Sequence, residues 1–346
     1  MGSSPTLSTP PPNGLVGAAL AGDERAFSQL VAPYRGELHV HAYRMLGSVH
    51  DADDALQDAL LRAWRSLASF DRTRSVRPWL YKITTNVCLD MIGRRRARGL
   101  PFDHGPSSDP GLGQGEALPG STWIEPYPDD RLPADDRHAS PEASYDRREA
   151  IELAFISALQ HLPGRQRAVL ILREVLGFSA REVADATGAT VPAVNSALQR
   201  ARSTLDARLP RRSQQATVRA LGDAAVRDLV ERFAAALEAG DVDGILALLT
   251  DDVMFATPPY AAWCETRSDV ARSWLMPSDD GARLRYVATS ANGQPALAVY
   301  RQEPGDDTYV QLALDVLSLD GGLVGSVVAF RAPEVFAAFG LPPTLD

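Results

Sequence analysis

Side chains able to bond DNA gather on one face of a predicted helix that begins at Thr190. Amide, hydroxyl and guanidinium groups are what base edges and phosphates accept as partners. The face consists of Ala193, Asn195, Ser196, Gln199, Arg200 and Arg202. The opposite face repeats apolar residues at three- and four-residue spacing, as the buried side of a helix does. These apolar residues are Val194, Ala197, Leu198, Ala201 and Leu205.

The residues before this helix predict a second helix and a tight turn. Ser179 and Glu182 form an S-x-x-E capping box, in which each side chain satisfies a backbone donor at a helix start. Gly188 can take the left-handed conformation that ends a helix, and Thr190 can cap the next one. Residues 178–209 therefore predict a helix-turn-helix, a motif that many classes of DNA-binding protein share.

Positive charge is concentrated in residues 72–98, which hold seven arginines and one lysine against a single acid, in a chain of net charge -9. A helix beginning near Pro78 would place the rings of Trp79 and Tyr81 beside these cations. Its outward side chains are predicted to be Lys82, Thr85 and Asn86. Single-stranded nucleic acid binds where bases stack on rings while cations follow the backbone. The alternative is that both rings belong to the core.

Residues 48–67 predict the strongest amphipathic helix of the first half of the chain. Its buried stripe is built mainly from alanine and leucine, with Trp64 near the end. Its polar face consists of Asp53, Asp54, Gln57, Asp58 and Arg62. From the residues alone, that face is either a solvated surface or a docking face for a partner.

Three segments, in this order, resemble bacterial sigma-70 RNA polymerase sigma factors, most closely the extracytoplasmic-function group. They are DADDALQDALLRAW, SFDRTRSVRPWLYKITTNVCLDMIGRRRAR and LPGRQRAVLILREVLGFSAREVADATGATVPAVNSALQRAR. The resemblance covers about residues 15–98 and 146–209. It implies a protein that binds core RNA polymerase, directs promoter recognition and transcription initiation, and performs no covalent chemistry.

The resemblance also implies a role for each surface. The polar face of residues 48–67 would dock on core polymerase. The helix from Thr190 would lie in the major groove of the -35 element. The basic segment would recognise and help to melt the -10 element. Its expected contact residues are Arg74, Arg77, Trp79, Tyr81, Lys82, Thr85, Asn86, Arg94 and Arg95.

Residues 99–145 form an acidic linker rich in proline and glycine, long for this family. It contains WIEPYP, whose Trp123, Ile124, Pro126 and Tyr127 are apolar in a polar setting, so full solvation is unexpected. One interpretation is that the linker threads toward the polymerase active centre, as in the family. The other, which we favour, is that WIEPYP docks on the C-terminal domain.

Residues 217–346 predict a separate α+β domain. Helices come first, from 218 to 239 and from 267 to 275, and four strand candidates follow them. The candidates are 284–290, 296–301, 309–319 and 323–330. Asn292-Gly293 and Asp320-Gly321-Gly322 are hairpin turn signals between them. This order resembles the SnoaL-like, ketosteroid-isomerase-like cone.

Enzymes of that fold need a general base inside the cone. The domain has no histidine and no lysine, and none of its residues matches a catalytic pattern. Its polar candidates for the cavity mouth are Asp252, Tyr260, Trp263, Arg285, Tyr300 and Asp315. The cone is therefore expected to regulate the sigma factor through the linker or the sigma domains. A ligand-binding or catalytic isomerase-like cone is the alternative.

The predicted fold class is two all-α domains, the second a helix-turn-helix, followed by an α+β SnoaL-like cone. The predicted domains are a disordered tail at 1–14, region 2 at 15–98, the linker at 99–145, region 4 at 146–212 and the cone at 217–346. No cofactor, metal site or membrane contact is expected. His39 and His41 lack a third ligand nearby, and two distant cysteines suit the cytoplasm.

Overall fold

A computed structural model describes residues 13–109, 113–133, 149–210, 212–275 and 281–346. The chain divides into two compact units: Met1–Ala97 with Ala158–Arg208, and Arg98–Ser157 with Leu209–Asp346. The predicted disordered tail lies outside the described residues except for its last two, which are helical.

The described part of the first unit is built from helices and the loops that join them. Its helices are α1 (Asn13–Leu20), α2 (Glu24–Val31), α3 (Arg35–Leu46), α4 (Val49–Ser66), α5 (Val76–Ile92), the end of α6 (Leu153–Gln160), α7 (Gly164–Leu170), α8 (Ala180–Thr187) and α9 (Val191–Asp206). A π-helical turn, Ile171–Val175, follows α7.

The predicted helix-turn-helix is confirmed down to its capping bonds. The Ser179 amide donates to Glu182 Oε2 at 2.8 Å, and the Glu182 amide donates to Ser179 Oγ at 3.2 Å. Gly188 ends α8 with φ of 65°, a conformation that residues with a Cβ rarely adopt. Thr190 Oγ1 then accepts from the Ala193 amide at 3.3 Å and begins α9.

The second unit is the α+β domain that the sequence predicts. Its further helices are α10 (Gln214–Leu221), α11 (Asp223–Ala239), α12 (Val242–Ala247), α13 (Arg267–Leu275) and α14 (Pro333–Ala338). Its strands are β1 (Leu249–Ala256), β2 (Trp263–Glu265), β3 (Arg283–Ala291), β4 (Gln294–Gln302), β5 (Tyr309–Asp320), β6 (Leu323–Phe330) and β7 (Thr344–Leu345).

One expectation for this domain is wrong, because the continuous helix from 218 to 239 is two helices. Gly222 separates α10 from α11 with φ of 81° and ψ of 150°, well outside the helical region. Glycine populates that conformation without a Cβ clash. The chain therefore changes direction before the long helix begins.

The strands form one mixed sheet in the order β2-β1-β6-β5-β4-β3, with β7 added to β5. β1 pairs with β6 in parallel, and the other pairs are antiparallel. Leu229, Val230 and Phe233 of α11 are buried in one cluster with apolar residues of β1, β4, β5 and β6. This packing covers one face of the sheet with α11.

Candidate polymerase, nucleic-acid and linker interfaces

The polar face of α4 lies as predicted, opposite a buried stripe. Asp53, Asp54 and Gln57 are exposed, while Asp58 and Arg62 are half-buried. Arg62 donates to Asp90 at 2.9 Å and pairs with Asp58, also at 2.9 Å. This bridge fixes part of the face, so the face is anchored to α5 by Arg62.

The basic helix α5 presents only part of its predicted contact set. Lys82, Arg74, Arg94 and Arg95 are exposed, and Trp79 is half-buried with its ring 4.9 Å from that of Phe70. Arg95 pairs with the buried Asp51, and Arg74 with Asp71 at 3.4 Å. Asn86 is half-buried. The cations are thus accessible while the aromatic component is mostly covered.

Two of the predicted -10 contact residues on α5 are buried. Tyr81 is 1% exposed and Thr85 is 0% exposed. Thr85 Oγ1 lies 2.9 Å from Nε2 of the buried His41 on α3, so the expectation that Thr85 faces outward is wrong. The reason is that α5 packs on two sides, which a single apolar stripe does not reveal.

The second side of α5 is covered by the helix-turn-helix half of the unit. The Phe178 ring lies 5.2 Å from the Tyr81 ring, and the Arg77 guanidinium lies over both rings, at 4.9 Å from Tyr81 and 5.2 Å from Phe178. Glu37 holds Arg77 Nε with both oxygens at 3.0 Å. Phe178 therefore covers Tyr81, the residue that we expect to stack with a base.

A second contact joins the two halves at the end of α3. Arg167 is 3% exposed and donates to the Met45 carbonyl, to Gln160 Oε1 at 2.5 Å and to the Gln160 carbonyl at 2.9 Å. Burial lowers the pKa of Arg167 to about 10. The Met45 carbonyl is one of the acceptors left open at a helix C-terminus, where positive charge is stabilised.

The recognition helix α9 has the two faces that its sequence predicts. Val194, Leu198, Ala201 and Leu205 are buried, and Ala197 is half-buried. All six predicted -35 contact residues are exposed: Ala193, Asn195, Ser196, Gln199, Arg200 and Arg202. Arg202 also pairs with Glu174 at 2.7 Å. The predicted -35 contact surface is thus exposed, while the predicted -10 contact surface of α5 is partly covered.

In the second unit, the WIEPYP segment lies against the cone. Trp123, Ile124, Pro126 and Tyr127 are all buried. Tyr127 and Asn292 share two hydrogen bonds. The Tyr127 backbone amide donates to the side-chain Oδ1 of Asn292 at 2.8 Å, and the Asn292 backbone amide donates to the Tyr127 carbonyl at 2.9 Å. The linker is therefore joined to the hairpin turn between β3 and β4 by backbone and side chain.

The six polar candidates in the cone occupy different places. Asp252 is exposed on β1, Arg285 donates to the Asp346 carbonyl at 2.9 Å, and Tyr300 donates to the Pro342 carbonyl at 3.0 Å. Tyr260 is half-buried beside the linker. Trp263 is half-buried, and its Nε1 donates to the Gly105 carbonyl at 3.0 Å. Tyr300 and Asp315 are buried in the sheet, and burial raises the pKa of the Asp315 carboxyl to about 7, a rise that the charge of Arg331 opposes.

Comparison with known proteins assigns the domains of this chain to known families. The Sigma-70 region 2 model matches residues 30–98, the Sigma-70 region 4 model matches 147–205, and a SnoaL-like domain model matches 230–326. Over 330 residues, the chain is 41% identical to the ECF RNA polymerase sigma factor SigG of Mycobacterium tuberculosis (strain ATCC 25618 / H37Rv), covering 93% of this chain and 86% of that protein. The chain belongs to the extracytoplasmic-function sigma factors.

This sigma factor therefore binds core RNA polymerase and promoter DNA and directs transcription initiation. The RNA polymerase sigma factor CnrH of Cupriavidus metallidurans is 33% identical over 203 residues, covering 58% of this chain and 95% of CnrH. The crystal structure of the M. tuberculosis sigma factor SigJ has the same fold, with a TM-score of 0.58 and 23% identity over 91% of this chain and 99% of that one. The predicted family and fold class are confirmed.

The sequence did not predict the contacts of two residues that shape these surfaces, Phe178 and Glu152. Phe178 precedes the cap of α8, a position where an apolar residue often packs, and that signal could have found it. Glu152 accepts from the amides of Gln214 at 3.0 Å and Gln215 at 2.7 Å, and burial raises its pKa to about 7. Nothing in its local sequence indicates that partner, because the two segments are 62 residues apart.

Within the described part of the sigma factor, no three acidic, histidine or cysteine side chains are grouped as a metal site would require. None of its helices combines the length and apolarity needed to cross a bilayer. His41 is buried, and burial lowers its pKa to about 3, so it stays neutral against Thr85 at physiological pH.

Replacing Asn292 with glycine should loosen the linker from the cone. Asn292 is fully buried with φ of 57°, so glycine keeps the backbone but removes the bonds to the Tyr127 amide and, at 2.7 Å, to the Ile151 carbonyl. Two buried groups left unpaired should lower the free energy of unfolding by about 2–5 kcal/mol. Denaturant unfolding and proteolysis of residues 113–133 measure this. Asp320→Gly, at the other hairpin turn, is the control, and equal stability of the two variants would contradict the assignment.

Proposed function

We propose that this sigma factor is a two-site promoter clamp that is partly closed when free. This proposal is supported by a contrast between two helices. All predicted -35 contact residues of α9 are exposed, whereas Tyr81 of α5 lies beneath Phe178. A base cannot stack on Tyr81 while Phe178 occupies that side. Core polymerase would have to separate the two halves before the -10 strand is bound.

In this proposal, each predicted surface keeps its role. Residues 15–98 act as region 2, residues 146–212 as region 4 and residues 217–346 as the regulatory cone, joined by the linker at 99–145. Asp53, Asp54, Gln57, Asp58 and Arg62 dock on core polymerase. The exposed cations on and beside α5, which are Arg74, Lys82, Arg94 and Arg95, meet the -10 strand first, and Tyr81 follows after opening. The protein acts in the cytoplasm by binding alone, without covalent chemistry of its own.

The cone is proposed to modulate this cycle through the linker. Support comes from the buried WIEPYP segment and from its paired bonds to Asn292. A linker held on the cone has less freedom to follow polymerase than a free one, because the docked backbone is already ordered. Release from the cone would then favour the polymerase-bound form.

Arg200→Ala tests the -35 assignment. Arg200 is exposed on the reading face, so its loss should weaken binding to a -35 duplex by about 1–3 kcal/mol and relax specificity at one position. Run-off transcription with core polymerase and random promoter fragments reads both effects. Arg227→Ala is the matched control, because it removes one exposed arginine from α11 of the cone. Equal losses in both variants would contradict the assignment.

A further inference from the structure

One predicted -35 contact, Arg202, is held by a carboxylate that lies outside the recognition helix. Arg202 Nη2 donates to Glu174 Oε1 at 2.7 Å, although 28 residues separate the two in sequence. The side chains of Arg202 and Glu174 are 56% and 39% exposed, and an ion pair this exposed adds little to stability. An acid beside a DNA-binding surface also repels phosphate. The pair is therefore explained neither by folding nor by simple attraction to DNA.

The backbone that carries Glu174 is fixed by its neighbours. Glu174 lies in the π-helical turn after α7, in which Ile171 and Leu172 are buried. The Leu176 amide donates to the Ile171 carbonyl at 3.0 Å, and the Phe178 amide donates to the Leu172 carbonyl at 2.9 Å. Turns of this kind are frequent at functional sites. The Glu174 carboxylate thus extends from an ordered base toward α9.

Arg202 also extends from a fixed backbone, near the end of α9. Its neighbour Ala201 is 0% exposed and Leu205 is 6% exposed, so the rotation of the helix about its axis is set. Arg202 follows Asn195 by seven residues and Gln199 by three, so it lies on their side of the helix, next to the buried stripe. Base edges lie at the floor of the groove and phosphates along its borders. A side chain at the edge of the exposed face is therefore expected to contact a phosphate.

The bond to Glu174 leaves most of the Arg202 guanidinium available for DNA. A guanidinium has five N–H donors in a rigid planar fork, and Nη2 supplies the one that Glu174 accepts. Phosphate is often bound through two donors on one edge of such a fork. An unrestrained arginine loses rotamer freedom when it binds, whereas Arg202 is already restrained by Glu174. The carboxylate therefore orients the guanidinium in advance.

We propose that Glu174 is a positioning residue for promoter recognition, which holds Arg202 so that its guanidinium contacts a phosphate at the border of the -35 element. Glu174 itself does not touch DNA. This inference rests on the proposed role of α9 in binding the -35 duplex. It predicts an effect opposite in sign to simple electrostatics, because removing an acid near DNA otherwise strengthens binding.

The test measures how tightly the full chain binds a labelled -35 duplex, taken from the promoters that the run-off experiment selects, over a series of salt concentrations. Glu174→Ala should weaken binding about two- to fivefold, the range for an exposed ion pair, although it removes a negative charge. The slope of log affinity against log salt should fall by up to about one, because one phosphate contact is lost. Glu174→Gln keeps an acceptor oxygen and should bind at least as tightly as the unaltered protein.

Two comparisons separate positioning from a general effect of charge. Asp206→Ala removes another exposed acid, at the end of α9, and should not weaken binding. In a protein that already carries Arg202→Ala, Glu174→Ala should no longer weaken binding. Unchanged or tighter binding by Glu174→Ala overturns the inference. An equal loss with and without Arg202, or a Glu174→Gln variant as weak as Glu174→Ala, overturns it as well.

Arg200→Ala separates this inference from the proposed function on which it rests. A loss of affinity with Arg200→Ala, but none with Arg202→Ala or Glu174→Ala, overturns the positioning role alone. No loss with any of the three variants overturns the -35 assignment of α9, and the positioning role with it.

Discussion

Phe178→Ser is expected to raise the affinity of the free sigma factor for a single-stranded -10 oligonucleotide about tenfold or more. The substitution removes the ring that lies 5.2 Å from Tyr81 and 5.2 Å from the Arg77 guanidinium. Truncating a buried phenylalanine lowers stability by about 3–5 kcal/mol. Because the Phe178 ring packs on Tyr81 only in the closed form, we expect much of this loss to destabilise the closed form relative to the open one. Affinity rises because the binding-competent fraction of the protein rises.

Fluorescence anisotropy with a labelled -10 strand measures this affinity, and binding to a -35 duplex confirms that the helix-turn-helix is intact. Gly164→Ala is a second opening variant. Its added Cβ would lie 3.2 Å from Ile92 Cγ2 of α5, so Ile92 or α7 must shift by a few tenths of an ångström and the contact between α7 and α5 is weakened. Phe27→Ser, which removes a ring 5.1 Å from Trp64, is the control. Unchanged affinity in both opening variants would refute the closed form.

Asp54→Arg is expected to weaken binding to core RNA polymerase by at least about thirtyfold. Asp54 is exposed on α4, so the change should cost the fold little. Truncating one partner of a buried interfacial charge pair costs about 2–5 kcal/mol, and reversing it adds repulsion. Transcription from every promoter should fall together, because the loss precedes promoter choice.

Competition against the housekeeping sigma factor for core polymerase measures that loss. Glu334→Arg, which reverses an exposed acid at the start of α14, is the matched control. The DNA affinity of the Asp54 variant should stay unchanged, which separates docking from reading. A variant that competes as well as the unaltered protein would exclude this face of α4 as the docking surface.

Local sequence patterns were sufficient to predict the helices that carry the proposed -10 and -35 contact surfaces. The Ser179–Glu182 capping box, the left-handed Gly188 and the apolar spacing of α9 depend only on neighbours within one or two turns. Each of these features was therefore readable from the sequence. The β6 strand begins and ends at its predicted residues for the same reason, since alternation and turn glycines bound it.

Contacts between distant segments escaped that reading. Tyr81 is a predicted DNA contact and Thr85 is predicted to face outward, yet Phe178 and His41 cover them from 97 and 44 residues away in sequence. Apolar residues that repeat every 3.6 residues indicate one buried face of a helix, whereas α5 is buried on two faces. The cavity that Gln114 of the linker lines together with Trp263 of the cone likewise needs two segments to meet across more than 140 residues.

The sequence by itself thus determined the family, the helix-turn-helix, the polar face of α4 and the order of the domains, since each follows from patterns local to one segment. Only the tertiary structure decided that Phe178 covers Tyr81 and that the linker is fastened to Asn292. It also decided that linker and cone form a cavity together, with Gln114 and Trp263 among its lining residues. These arrangements depend on which surfaces pack together, and packing surfaces are specified by the whole chain.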